Sequence, residues 1–139
     1  MSNSIRPTGE PNPKPGNVFR INLNVVTDPE ECRKLEENQL ARCSEDLKSL
    51  DWITRFCTVQ WLGFSFKSSV MKSRFSEVAI PLLIEALNDL APSIRREAVI
   101  SLGEICDQRA IGPITKLLND PEVASHARSV LKKLIRSFL

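Results

Sequence analysis

The feature that most constrains this chain is that part of it is written twice. Ala79-Ile80-Pro81-Leu82-Leu83-Ile84-Glu85-Ala86-Leu87-Asn88-Asp89 returns as Ala110-Ile111-Gly112-Pro113-Ile114-Thr115-Lys116-Leu117-Leu118-Asn119-Asp120. Both copies end in Leu-Asn-Asp and run into a proline-containing turn, at Pro92 and Pro121. A second apolar pattern follows each turn. Ile94, Ala98, Leu102 and Ile105 in one copy correspond to Val123, Ala127, Leu131 and Leu134 in the other. Apolar residues at that spacing fall on one face of an α-helix. Two helices per unit of roughly 30 residues define a helical solenoid, in which each hairpin buries its apolar face against its neighbours.

Upstream, Trp61-Leu62-Gly63 echoes Ser101-Leu102-Gly103 and Arg55 echoes Arg95, which points to a divergent earlier unit. Its first helix is predicted from Asp28 to about Leu50. Thr27 or Asp28 would cap it, Pro29 fits its first turn, and Glu30 and Glu31 suit its positive end. Its second is predicted from Asp51 to about Phe64, with Trp52, Phe56, Val59 and Leu62 on one core-facing stripe. Cys57, Trp61 and Phe64 lie on another side of that helix, and residues 65–75 are predicted to be a loop with room for one helical turn. Residues 1–17 hold Pro7, Pro11, Pro13 and Pro15 among Gly, Asn and Ser, a composition that cannot build a core. Phe19, Ile21, Leu23 and Val25 then alternate with Arg20, Asn22 and Asn24, the period of a half-buried strand. The chain therefore divides into an extended arm over 1–27 and an all-α repeat domain of about three helical hairpins over 28–139.

The segment Ala79-Ile80-Pro81-Leu82-Leu83-x-x-Ala86-Leu87-x-Asp89, followed by Ile94-Arg95-Arg96-x-Ala98-x-x-x-Leu102-Gly103-Glu104-Ile105, resembles the HEAT-like repeats of the phycobilisome-lyase type. The likeness is strong from Val78 to Leu139. It implies a short HEAT-like α-solenoid and a structural ladder of turn aspartates and helix arginines, here Asp89, Arg95 and Asp120. Buried between hairpins, such contacts would fix register by charge-assisted hydrogen bonds. Ala124 stands at the position aligned with Arg95, so the last unit reads as a cap. Cys106-Asp107-Gln108 replaces the family's usual glycine, aspartate and proline, which predicts a less sharp turn there.

Several function classes fit poorly. The arm carries Arg6, Lys14 and Arg20 against Glu10, so the net charge of +2 resides in it and residues 28–139 are balanced. A balanced repeat domain lacks the basic face that a nucleic-acid partner requires. No run approaches the roughly 18 apolar residues of a membrane span, and the polar N-terminus lacks the apolar centre of a secretory signal. Cys32, Cys43, Cys57 and Cys106 form no CxxC pair and His126 is the single histidine, so no metal site is predicted. The cysteines read as small buried residues in a reducing, cytoplasmic setting.

The expected function is binding of a protein partner, without catalytic residues or cofactor. The groove around Arg95, Arg96 and Glu104, an aromatic anchor at Trp61 and the arm residues Phe19, Ile21, Leu23 and Val25 are the candidate contacts. A strand has no partner elsewhere in this chain, so the arm would add to a sheet edge on the partner or lie along the solenoid. The resemblance implies a photosynthetic antenna or photosystem subunit as that partner. It also implies the alternative, a phycobilin lyase subunit or chromophore chaperone, with a bilin held near Cys106, Arg95, Arg96 and Glu104 beside Trp52 or Trp61. The cations Arg128, Lys132, Lys133 and Arg136 of the last helix read as a solvated face or a contact for an acidic partner.

Overall fold

A computed structural model describes residues 28–139. The predicted arm, including the alternating residues Phe19, Ile21, Leu23 and Val25, lies outside the described residues. Two compact units divide the chain, 1–34 and 35–139. The described part of the first unit is the start of α1 (Pro29–Asp46), where the Glu30 amide donates to the Asp28 carboxylate at 3.3 Å and Arg33 pairs with Glu30 at 3.5 Å.

In the second unit the rest of α1 is followed by α2 (Trp52–Ser65), α3 (Lys72–Ala86), α4 (Pro92–Ile105), α5 (Ile111–Lys116) and α6 (Ala124–Ser137). Short 3₁₀ turns at Phe66–Ser68, Gln108–Ala110 and Leu117–Asn119 join them, and among the described residues there is no strand. Three successive hairpins, α1–α2, α3–α4 and α5–α6, account for the repeat.

The element boundaries follow local chemistry. α1 ends at Asp46, short of the predicted Leu50, because the chain tightens: the Lys48 and Ser49 amides donate to carbonyls only three residues back, at 2.9 and 3.1 Å. Asp51 caps α2, accepting from the Ile53 amide at 3.2 Å and from the Thr54 hydroxyl at 2.9 Å. The predicted loop 65–75 is shorter than expected. The 3₁₀ turn follows α2 directly, and α3 already begins at Lys72. Pro81 and Pro113 occupy the same place in the repeated text but at different depths. Pro81 lies inside α3, where it withholds an amide from the helix ladder, whereas Pro113 falls in the first turn of α5, where that amide has no intrahelical partner.

α4 is the centre of the unit, packing against α2, α3 and α6. Ile94, Ala98, Val99 and Leu102 on it are fully buried, as are Val59 and Leu62 of α2, Leu83 of α3, Ile114 of α5, and Ala127 and Leu134 of α6. Each large side chain among these contributes roughly 1.5–3 kcal/mol of transfer free energy. The predicted α2 stripe holds at Val59 and Leu62. It fails at Trp52, which is 52% exposed and is the first residue of α2, about two turns before Val59 and about three before Gly63, where the helix meets Ser101 of α4.

Two glycines set how closely the second helices of successive hairpins approach. A Cβ on Gly63 of α2 would lie 2.7 Å from the Ser101 Cα of α4 and closer still to the Ser101 side chain. Gly103 of α4 meets Val130 of α6, with Cγ1 at 3.0 Å. The aligned position in α6 is Lys132, which is exposed. At the first contact the Ser101 hydroxyl also donates to the Val59 carbonyl at 3.0 Å, a buried polar link between α2 and α4.

α1 is tied on differently. From its second-unit portion only Leu40 and Cys43 are fully sequestered. Its Glu36 accepts the Ser69 hydroxyl and, at 3.2 Å, the Val70 amide, while Glu37 pairs with Arg74 of α3 at 3.1 Å.

Candidate functional site

The turns inside the hairpins are built alike. Ser49, Asp89 and Asp120 stand at equivalent places, and the side chain of each accepts the amide two residues on, at 3.1, 2.9 and 3.0 Å. Arginines on the following helices reach these turns in a repeating way. Arg55 donates from Nη1 to the Ser49 carbonyl of its own turn at 2.8 Å, and from Nε and Nη2 to the Asp89 carboxylate of the next unit at 2.8 and 3.2 Å. Arg95 repeats this: Nη1 donates to the Asp89 carbonyl at 2.8 Å, and Nε to the Asp120 carboxylate at 2.8 Å.

The ladder expected from Asp89, Arg95 and Asp120 thus has a different connectivity. Asp89 gives its carboxylate to Arg55 and only its backbone carbonyl to Arg95. The turn places the Asp89 side chain toward the preceding unit, where Arg55 is. Side-chain exposure is 17% and 12% for Arg55 and Asp89, and 17% and 18% for Arg95 and Asp120, so both pairs are largely shielded from solvent. Desolvation pushes the Asp89 carboxyl up, but hydrogen bonds from Arg55 and the Ala91 amide outweigh it and hold it below its ordinary value. Asp120 is held down likewise, desolvation being outweighed by Arg95 and the Glu122 amide. Uncharged residues stand at both ends of this array: Ser49 at the first turn and Ala124 on the last helix.

The proposed groove residues do not converge. Arg95 is committed to Asp89 and Asp120 at the turn edge, while Glu104 lies nine residues further, about 13 Å along the α4 axis. There Glu104 bridges Lys67 at 2.7 Å and Lys133 at 3.7 Å, joining the ends of three successive hairpins. The Lys67 hydrogen bond holds its carboxyl below the usual range. Arg96 is half-buried on α4; it forms no salt bridge among the described residues, and its charge acts on the adjacent Glu97. Trp61 is not an exposed anchor. Its ring is half-buried, 5.7 Å from Phe75, because it faces α3 inside the molecule. The most exposed aromatic of α2 is Phe64, at 81%, on the helical stripe Ile53, Cys57, Gln60 and Phe64 that faces away from Val59 and Leu62.

The cysteines are less uniform than predicted. Cys43 is buried, and that burial raises its thiol to about 12. Cys32 and Cys106 are half-buried, and Cys57 is exposed because it shares the outward stripe of α2. The turn after α4 is sharp, contrary to expectation. Cys106 itself adopts the left-handed conformation, φ 58° and ψ 59°, that a glycine would take, and its amide donates to the Leu102 carbonyl at 3.0 Å. Among the described residues no group of three or more His, Cys, Asp and Glu could hold a metal ion. A shallow recess of about 60 Å³, lined by Leu47, Leu82, Glu85, Ala86 and Asp89, has room for a water or two. No helix among the described residues is long and apolar enough to cross a membrane.

Sequence reasoning missed Arg55 as a ladder member, Ser49 as the neutral first turn, and Phe64 as the exposed ring. The signal for the first two was available in the echo of Ser49-Leu50 by Asp89-Leu90, six residues before Arg55 and Arg95 respectively. No curated protein matched the sequence. The family model for HEAT repeats matches residues 44–134, about two thirds of the chain, which spans α2 to α6 and both arginine–aspartate links. With hairpins repeated, stacked and cross-linked in this way, the chain belongs to the HEAT-repeat family.

Proposed function

We propose that the chain is a non-catalytic protein-binding scaffold or assembly module, as HEAT repeats generally mediate protein–protein interaction. The observation that carries this reading is on α2. Its outward stripe leaves Ile53 54% and Phe64 81% exposed, with Trp52 at 52% beside it, while Val59 and Leu62 on the opposite side are fully buried. Large apolar side chains gathered on one helix face mark an interaction surface. The partner we propose is a subunit of a photosynthetic antenna or photosystem complex, a choice that rests on the repeat resemblance at Ala79–Asp89 and Ile94–Ile105 alone. The setting would then be cytoplasmic, against the photosynthetic membrane through that partner.

The test is direct. Purified chain is mixed with isolated antenna and photosystem complexes, and binding is compared with that of Phe64→Asp and Ile53→Asp, two exposed sites whose substitution leaves the core intact. The proposal expects complex formation that either substitution weakens about tenfold, in line with a lost interface anchor. Truncation of residues 1–27 should also weaken binding while the helical circular dichroism persists. Equal binding by all variants would refute the surface. Covalent transfer of a linear tetrapyrrole to an apo antenna subunit would replace the scaffold with the lyase reading.

A further inference from the structure

The last helix carries a second surface, built from charge rather than apolar area. α6 has the sequence Ala-Ser-His-Ala-Arg-Ser-Val-Leu-Lys-Lys-Leu-Ile-Arg-Ser, with four cations and no acid. Lys133 turns toward Glu104. Arg128, Lys132 and Arg136 are exposed at intervals of four residues, one stripe of about 6 Å steps, and none pairs with an acid among the described residues. Upstream, most cations at the corresponding places are neutralised: Arg55 and Arg95 hold aspartates, and Lys67, just past α2, holds Glu104, which leaves Arg96 of α4 as a single half-buried exception among the described residues. Ile135, 46% exposed, lies one turn beyond Lys132, and Phe138, 42% exposed, follows it.

This face is also closed to a further repeat. The glycine that lets α2 approach α4 and α4 approach α6 is replaced by Lys132, and the ladder arginine by Ala124. We propose that the stripe docks an acidic protein segment, with carboxylates at one-turn spacing and an apolar side chain seated on Ile135. An anionic membrane fits less well, because the broad apolar side of α6 (Ala127, Leu131, Leu134) is spent on the core, leaving only Ile135, Phe138 and Leu139 exposed near its end in place of a continuous apolar face. Nucleic acid fits less well because residues 28–139 carry as many acids as bases. This rests on the protein-binding reading but uses a surface separate from Ile53 and Phe64. Failure at α6 with antenna binding intact removes this proposal alone, whereas loss of both removes the function.

The test uses the full chain and a labelled helical peptide with glutamates at i, i+4 and i+8 and a leucine one turn on. A peptide of the same composition with scrambled order, a single-stranded oligonucleotide and phosphatidylserine vesicles are the competitors, all read by fluorescence anisotropy. The ordered peptide should bind at least about tenfold tighter than the scrambled one. Joint Arg128→Glu, Lys132→Glu and Arg136→Glu should cost about tenfold, the sum of three exposed ion pairs, with circular dichroism and Tm unchanged. Reversal of Lys34 and Lys48, exposed cations on and just after α1, should cost nothing. Equal affinity for the two peptides, indifference to the α6 reversals, or tighter binding of oligonucleotide or vesicle would overturn the proposal.

Discussion

Replacing Gly63 with alanine asks whether α2 and α4 touch as closely as described. The new methyl carbon would sit 2.7 Å from the Ser101 Cα, which is backbone and cannot swing aside, and closer to the Ser101 side chain. Ser101 is itself pinned by its hydrogen bond to the Val59 carbonyl at 3.0 Å. Overpacking of this kind costs about 1–3 kcal/mol, against which alanine recovers about 1 kcal/mol of helix propensity. Because the obstructing atom is backbone, the clash falls in the upper part of that range, about 2–3 kcal/mol, and the net loss is about 1–2 kcal/mol, or roughly 5–10 °C in Tm for a domain near 100 residues. Gly103→Ala meets the Val130 side chain, with methyl groups at 3.0 and 3.2 Å and no backbone atom, a milder crowding that helix propensity should nearly cancel. Gly112→Ala on α5 meets nothing within 4 Å and should stabilise by about 0.5–1 kcal/mol. Guanidinium and thermal melts followed by circular dichroism give the order. A Gly63→Ala protein as stable as the unaltered chain would refute the close approach.

Two other outcomes follow from the same geometry. Asp51, Asp89, Glu104, Asp107 and Asp120 are all held below their ordinary values in the folded chain, Asp51 chiefly by the Thr54 hydroxyl and Asp107 by Arg109. A depressed carboxyl contributes stability that is present above its unfolded value, about 4, and lost as pH falls through the lower folded one. Burial raises Glu97, which has the opposite sign and softens the decline as it protonates. The denaturation midpoint should therefore hold near neutrality and fall below about pH 4, and Asp89→Asn should fall less steeply; parallel curves would contradict the assignment. Cys106→Gly should stabilise by about 0.5–1 kcal/mol, since glycine adopts the φ of 58° without steric cost, and a loss in the melting assay would contradict it.

The repeat was legible because it is written in residues that must be buried. Ile94, Ala98, Leu102 and Ile105, with their partners Val123, Ala127, Leu131 and Leu134, are all sequestered. Periodicity was less informative for α2, a helix apolar on more than one side: it placed Trp52 inward and could not separate Phe64 from Trp61. What decides between them is the position of α3, whose Phe75 claims Trp61, and a single helix pattern does not contain that. The ladder's residues could be read, but its connectivity could not, because an aspartate can face either the preceding or the following arginine. The two-residue difference between the turns Asp89-Leu90-Ala91-Pro92 and Asp120-Pro121 hid the symmetry further. The left-handed Cys106 had no sequence signal, since the residue usual there is glycine.

The claim on which the rest depends is that successive hairpins are locked by Arg55 reaching the Asp89 carboxylate of the next unit, with side chains 17% and 12% exposed. A double-mutant cycle of Arg55→Ala and Asp89→Ala, read by chemical denaturation, isolates that contact from the Ala91 cap and the Ser49 carbonyl. The account predicts a coupling energy of about 1–2 kcal/mol, as for a charged, two-point hydrogen bond in a shielded place. Strictly additive losses would contradict it.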